Sequence, residues 1–256
     1  MIVCIIQARM GSTRLPGKVL LPVSGQKCIL QILVERISSS QNLDRIIIAT
    51  SSNKEDDRLA EFCTANSYLV HRGSDWDVLS RFYEAALAAG AQTGDHVIRI
   101  CADNPLSSSE TLDFVIDKYL NWKVDYFSNT NEPPYLEDGF DVEIFSFHSL
   151  KTAHDKADMH SQREHVTPFI KKSGLFSCGW QKHNSAYIYK LSVDTEQDLE
   201  LSRAIFASFE GNDYFTIRDV VQLLQKNPHL ILINSKSEIN SGYAKSLRED
   251  KKIEKL

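Results

Sequence analysis

The sequence predicts an α/β fold, a mostly parallel sheet held between two layers of helices, on three observations. Short apolar runs rich in β-branched residues alternate four times with segments of helical periodicity. The runs are apolar at consecutive positions, as strands buried on both faces require. The connections are short, so right-handed crossovers bring successive strands into one sheet, with any ligand beyond the C-terminal strand ends.

The elements follow in order. Residues 1–6 (M-I-V-C-I-I) read as the first buried strand. Ile29, Leu30, Leu33, Val34 and Ile37 recur at helical spacing, which predicts a helix over about 26–39. Arg45–Thr50 is a second strand, and Asn53 is placed to cap the next helix. Residues 67–72 read as a third strand, 75–89 as a helix with Val78, Leu79, Phe82, Ala86 and Leu87 inside, and 95–101 as a fourth strand. Pro105 forbids that strand from continuing, and Ser107 with Glu110 has capping-box spacing for the following helix. Alternation alone gathers four segments on one edge: 7–18, 50–53, 72–77 and 102–105.

The pattern changes after Ser128. Residues 129–138 are loop-like with two prolines, 141–147 alternate like an antiparallel or edge strand, 163–168 begin or interrupt a short helix, and 174–185 read as irregular. Residues 129–185 are therefore expected to form an insertion that covers the ligand edge and supplies a dimer arm. A strand over 186–193, helices over 194–209 and 217–226, and a final strand over 230–234 complete a single domain of residues 1–234. Residues 235–256 are strongly charged and predict a loosely ordered tail.

Composition narrows the function. A chain of 256 residues with 42% hydrophobic content can bury one sizeable core. A formal charge of −5 argues against a nucleic-acid footprint. The apolar N-terminal run is too short for a signal peptide or membrane span, and the five cysteines lack C-x-x-C spacing, so a cytoplasmic protein with reduced thiols is expected.

Against that acidic background, no acidic residue precedes Glu35, and Arg9, Arg14, Lys18 and Lys27 are cationic. A basic, glycine-containing turn leaving a buried strand suits a polyanion, because amides approach phosphate oxygens where Gly lacks a Cβ and cations neutralise charge. Five residues separate Gly11 from Gly17-Lys18 and Val19 follows, so this is not a Walker A loop, and G-x-G-x-x-G is absent. Asp103, just past the fourth strand, fits either a magnesium ligand beside phosphates or a turn-capping aspartate. Asp194 likewise fits a metal ligand or the acidic start of a helix.

The string Q-A-R-M-G-S-T-R-L-P-G-K-V-L resembles the nucleotide-binding loop of cytidylyltransferases that activate acidic sugars, the acylneuraminate and 3-deoxy-manno-octulosonate types. It is most similar to the group called spore-coat polysaccharide biosynthesis protein F. S-V-D-T-E-Q-D resembles that family's V-D-T-x-x-D, G-F-D-V-E-I-F resembles G-L-D-V-E-V-F, and R-E-H-V-T-P matches as it stands. Ala102 departs from the family, which has Gly before the metal-binding Asp.

The resemblance covers residues 1–234 and implies a Rossmann-like fold of nucleotide-diphospho-sugar transferase type, CTP as donor, Mg2+ as cofactor, an acidic sugar-like acceptor and a homodimer. It implies catalytic roles for Lys18, Arg14, Asp103 and Asp194, the two aspartates holding the metal. Nucleotide contacts fall on Ala8, Arg9, Gly11, Ser12, Thr13, Arg14, Lys18, Ser51, Ser74 and Arg81. Acceptor contacts fall on Asp141, Glu143, Arg163 and His165. Taken alone, Arg81 reads equally as a solvated helix residue, and His165 as a structural or surface histidine with no nucleophile placed beside it. Two other classes fit parts of the chain: a glycosyltransferase, which needs an Asp-x-Asp motif where Asp103-Asn104-Pro105 stands, and a non-catalytic sugar-nucleotide sensor.

Overall fold

The apolar run that opens Ile2–Gln7 forms β1, an interior strand of a seven-stranded sheet. The computed structural model describes residues 1–130, 138–181, 189–237, 247–248 and 250–253. After β1 comes a small antiparallel hairpin, β2 (Pro22–Ser24) and β3 (Lys27–Cys28), turned by Gly25 at φ +55°. This pairing delays the first helix, expected from about residue 26, so that α1 spans Ile29–Ile37. Then follow β4 (Arg45–Ser51), α2 (Asp57–Ala65), β5 (Leu69–Gly73), α3 (Val78–Ala88), β6 (His96–Cys101) and α4 (Ser109–Trp122). The four expected β–α alternations are present.

Beyond α4 lie β7 (Tyr126–Ser128), β8 (Glu143–Ser146), α5 (Phe147–Lys156), α6 (His160–His165), α7 (Pro168–Lys172) and β9 (Cys178–Trp180). Two longer helices, α8 (Glu196–Ser208) and α9 (Ile217–Lys226), complete the set among the described residues. The sheet order is β5-β4-β1-β6-β8-β7-β9, and β8 alone runs against its neighbours. From β1 the chain winds outward through β4 and β5, then returns to place β6 on the other side of β1. The loops after β1 and β6 therefore flank the point where strand order reverses, the usual crevice for ligands in such sheets.

Alternate strand residues divide the core. Cys4, Ile6, Ile48, Ile98 and Ile100 face α1, α2 and α4, while Val3, Ile5, Ile47, Ala49 and Val97 face α3 and α5. A third apolar cluster joins α8 and α9 to Ile29 and Ile32 of α1 and to Val193.

Several local expectations are corrected. The cap of α4 is Ser108, whose hydroxyl accepts from the Thr111 amide, rather than Ser107. Asn53 makes no side-chain cap, because a 3-10 turn at Lys54–Asp56 intervenes before α2. The strand over 141–147, read as antiparallel or edge, is antiparallel and interior: β8 pairs with β6 on one side and β7 on the other. Residues 178–180, read as irregular, add β9 beside β7. The expected strand over 230–234 is a 3-10 turn at Leu230–Leu232, and Leu230, Ile231 and Ile233 pack on the α8–α9 cluster. Most of the loop over 129–138 and the first three residues of the strand expected over 186–193 fall outside the described residues; Lys190 makes an isolated parallel bridge to Asp138. The tail is not wholly loose. The amides of Ser161 and His160 donate to Asp250 Oδ1 (2.9 Å) and to the Lys251 carbonyl (2.9 Å), and Ile253 donates to the Asp158 carbonyl (2.6 Å).

Arg36 of α1 ties these layers together. Buried on all sides, it donates to the carbonyls of Leu106 (2.8 Å), Ser107 (3.2 Å), Phe215 (2.7 Å) and Asp213, and its guanidinium lies 4.2 Å from the centre of the Phe215 ring. Replacing it with Met keeps the stem but strands four buried carbonyls, each costing about 1–3 kcal/mol if left unpaired. With partial relaxation, Arg36→Met is expected to lower stability by roughly 4 kcal/mol and Tm by roughly 10 °C. Thermal unfolding followed by circular dichroism checks this, and an unchanged Tm would refute the tie.

Candidate active site

An irregular loop leaves β1, and buried groups fix its path. The Met10 carbonyl accepts from the Ser12 amide (2.8 Å) and the Gly17 amide (2.9 Å), folding the loop back on itself. Gly17 takes φ +69°, a conformation that favours glycine. The Met10 amide donates to Asp56 Oδ1 at 2.6 Å, and Asp56 Oδ2 accepts from both the amide and the hydroxyl of Ser51. Fully buried Asp56 thereby locks the basic loop to the end of β4. Sequence reading missed it, since nothing in K-E-D-D marks the third residue as buried.

Lys18 stands at the loop's end and is itself buried. Its ammonium donates to Asp103 Oδ2 at 2.9 Å, to Asp194 Oδ1 at 2.9 Å and to the Val193 carbonyl at 2.6 Å, which uses all three of its N–H groups. The Val193 amide in turn donates to the Asp103 carbonyl at 2.8 Å, so the segment after β6 and the segment before α8 are joined by backbone as well. Arg14 Nη2 lies 2.9 Å from the same Asp194 Oδ1. Lys190, also missed from sequence, approaches Asp194 Oδ2 at 3.2 Å and Asp138 Oδ2 at 3.4 Å.

Burial opposes the charge on Lys18, but Asp103 and Asp194 together hold its ammonium above the ordinary lysine value. Burial also opposes the Asp194 carboxylate, and Lys18, Lys190 and Arg14 overcome it to hold the group down at about 2.

These groups border a cavity of about 1040 Å³. Nine sequence-predicted residues line it: Ala8, Arg9, Gly11, Ser12, Thr13, Arg14, Lys18, Asp103 and Asp194. Ala102 lines it too, packs into the core, and continues the β6 ladder through a hydrogen bond from its amide to the Gln7 carbonyl (2.9 Å). Its φ is negative, so the backbone accepts alanine where the resembling family has glycine. The far wall comes from His160 and Glu164 of α6 and from Arg248 and Lys251 of the tail, none of them predicted.

The remaining predicted residues lie elsewhere. Ser51 is buried against Asp56, and Ser74 accepts from the Asp77 amide (3.1 Å) in the turn before α3. Arg81 is fully buried, donates to the Ser74 carbonyl (2.7 Å), and leaves Nε and Nη2 without a hydrogen-bond partner among the described residues. Burial pushes its guanidinium down to about 10. Glu143 sits inside a cage of Arg99, Tyr126, Thr167 (2.7 Å) and Lys171 (3.4 Å); burial opposes its charge, and Lys171 and Arg99 hold it at about 2. Burial and then the charges of Asp138 and Asp103 raise Asp141 well above the carboxylate range. Arg163 grips Asp77 Oδ2 (2.7 Å) and Ser80 Oγ (3.0 Å), tying α6 to the start of α3. Burial drives His165 down to about 4, so its ring is neutral near pH 7.

The donor set suits a hard divalent cation. Two carboxylates converge on one ammonium nitrogen beside a basic loop, and oxygen donors with room for phosphate oxygens are what magnesium takes. Among the described residues there is no group of three or more potential metal ligands, so remaining positions would be filled by substrate and water.

Comparison with known proteins agrees with this geometry. A family model described as cytidylyltransferase matches residues 3–232. An uncharacterized protein of Methanocaldococcus jannaschii is 39% identical over 238 residues, 91% of this chain and 94% of its own length. The spore coat polysaccharide biosynthesis protein SpsF of Bacillus subtilis is 33% identical over 236 residues, 89% of this chain and 95% of its own. A solved cytidylyltransferase from Leptospira borgpetersenii superposes with a TM-score of 0.83 at 29% identity, covering 93% of this chain and 98% of that one.

Glu143 and Asp194 both have folded-state pKa values near 2, below the ordinary 4.5 and 3.8. The stability each contributes is full above its ordinary value and is lost as pH falls toward 2. Tm is therefore expected to fall steeply between about pH 4.5 and pH 2. Glu143→Gln is expected to lower Tm at pH 7 and to flatten that acid limb, and a Tm–pH profile of both proteins reads it. Parallel profiles would refute the ionised cage.

Proposed function

This chain belongs to the cytidylyltransferase family and is a CTP-dependent nucleotidyltransferase, and we propose that it transfers CMP from CTP to a hydroxyl of an acidic or modified sugar, or a related acidic acceptor. The acceptor oxygen bonds to the α-phosphorus, the bond from that phosphorus to the bridging oxygen of the β-phosphate breaks, and pyrophosphate leaves. The likeness to SpsF supports a place in the making of a surface polysaccharide.

The observation that carries this reading is the Lys18 ammonium shared by Asp103 and Asp194 at the crevice where strand order reverses. Lys18 and Arg14 place positive charge beside the loop, and on binding they exchange carboxylate for phosphate oxygens. Gly11 and Ser12 of the loop line the same wall. Asp103 and Asp194 would hold magnesium, which when bound supplies charge neutralisation at the phosphates. Arg81 is fully buried and does not line the cavity, so no nucleotide contact is assigned to it. His165 does not line the cavity, so no protein base is assigned to the acceptor hydroxyl. Positioning and charge stabilisation carry the rate, and no covalent enzyme intermediate is needed.

Pyrophosphate release tests this with CTP, magnesium and a panel of acceptors that includes 3-deoxy-manno-octulosonate and N-acetylneuraminate, with ATP, GTP and UTP as alternative donors. CTP is expected to be the preferred donor. Lys18→Ala and Asp103→Asn are each expected to lower kcat by roughly 100-fold or more with the fold intact by circular dichroism. A near-normal rate in either variant would refute the assignment.

A further inference from the structure

The family match ends at residue 232, yet the far wall of the cavity includes Arg248 and Lys251. The segment carrying them is built onto α6. Asp250 accepts from the Ser161 amide (2.9 Å) and hydroxyl (2.6 Å), the Lys251 carbonyl accepts from the His160 amide (2.9 Å), and Lys252 forms an antiparallel bridge with Met159. Helix α6 is itself anchored to α3 through Arg163. Two tail cations are thus held at a defined place in the wall.

Charge shows what they contribute. Among the lining residues, Arg9, Arg14 and Lys18 are matched by Asp103, Asp194 and Glu164, so the wall without the tail carries no surplus of either sign. Lys18 and Arg14 are also directly engaged by those aspartates. Arg248 and Lys251 alone turn the lining net positive. A triphosphate stays anionic even with one divalent cation bound, and a positive surplus in the wall compensates the charge that is left.

We propose that Arg248 and Lys251 are substrate-binding residues that draw the CTP triphosphate into the cavity, and that Asp250 is the positioning residue that holds them there. The proposal rests on the nucleotidyltransferase reading of the same cavity.

Isothermal titration of CTP into the full chain tests it, with magnesium and at low and high salt. The proteins are the wild type, the double variant Arg248→Gln/Lys251→Gln, Asp250→Ala, and Lys252→Gln as control. Lys252 loses the same charge but pairs with Asp158 (3.2 Å) and does not line the cavity. The double variant is expected to raise the CTP Kd by roughly tenfold or more and to weaken its salt dependence. Asp250→Ala is expected to give a smaller rise in the same direction, and Lys252→Gln to stay within about twofold of wild type. Equal affinity in the wild type and the double variant, or an equal loss in Lys252→Gln, would overturn the proposal while leaving the function standing. Unchanged CTP affinity with a raised acceptor KM would move the two cations to the acceptor and overturn it as well. Failure of the wild type to bind any of CTP, ATP, GTP and UTP would instead overturn the functional reading.

Discussion

The Lys18 ammonium gathers acceptors that lie 85, 175 and 176 residues away along the chain. A lysine so deeply buried is tolerated only because two carboxylates and a carbonyl accept from its three N–H groups, and the carboxylates are tolerated only because the lysine is there. The rest of the site depends on this mutual requirement. It fixes the end of the basic loop, draws the segment after β6 toward the one before α8, and keeps two hard oxygen donors together in front of the crevice. The hydrogen bond from Val193 to Asp103 does the same by backbone alone, so their proximity does not rest on side chains only.

Much of this was legible in the sequence because burial on both faces leaves an unmistakable pattern. β1, β4 and β6 are consecutive apolar runs, and the helices between them carry regular apolar stripes, so the sheet and its ligand edge follow from periodicity. The failures share a cause. β2, β3 and β9 are two or three residues long, too short for any period to show, and each exists because a partner strand lies alongside. Ser108 rather than Ser107 caps α4 by a one-residue difference that composition cannot resolve. Asp56 and Asp250 act through amides of residues far away, and in the string the acidic neighbours Asp57 and Glu249 look no less suited.

The site residues divide in an informative way. Those after β1, together with Asp103 and Asp194, reached one cavity, since each follows or precedes an element whose place the sheet dictates. Asp141, Glu143, Arg163 and His165 did not. Glu143 is enclosed by four donors, and Arg163 is bound to the cap of α3. Both charges are satisfied by protein, and buried groups so fully engaged act by holding elements in place. Their effect on the cavity runs through α6: Arg163 seats that helix, and the helix presents His160 and Glu164 to the opposite wall.

A cavity for a polyanion has to be assembled from an acidic chain, and that constraint orders the whole molecule. The formal charge is −5, and the first 34 residues hold four cations and no carboxylate. Concentrating cations in one loop solves only half the problem, because the same loop must be tied down, and here the ties are Asp56, Asp103 and Asp194. Each tie cancels part of the field that the loop would otherwise project into the crevice. Positive charge not already engaged in holding the loop must then enter from elsewhere in the chain. Helix α6 offers a seat for it through Ser161 and His160, and the basic segment that settles there restores the sign of the wall without loosening the buried cluster beneath it.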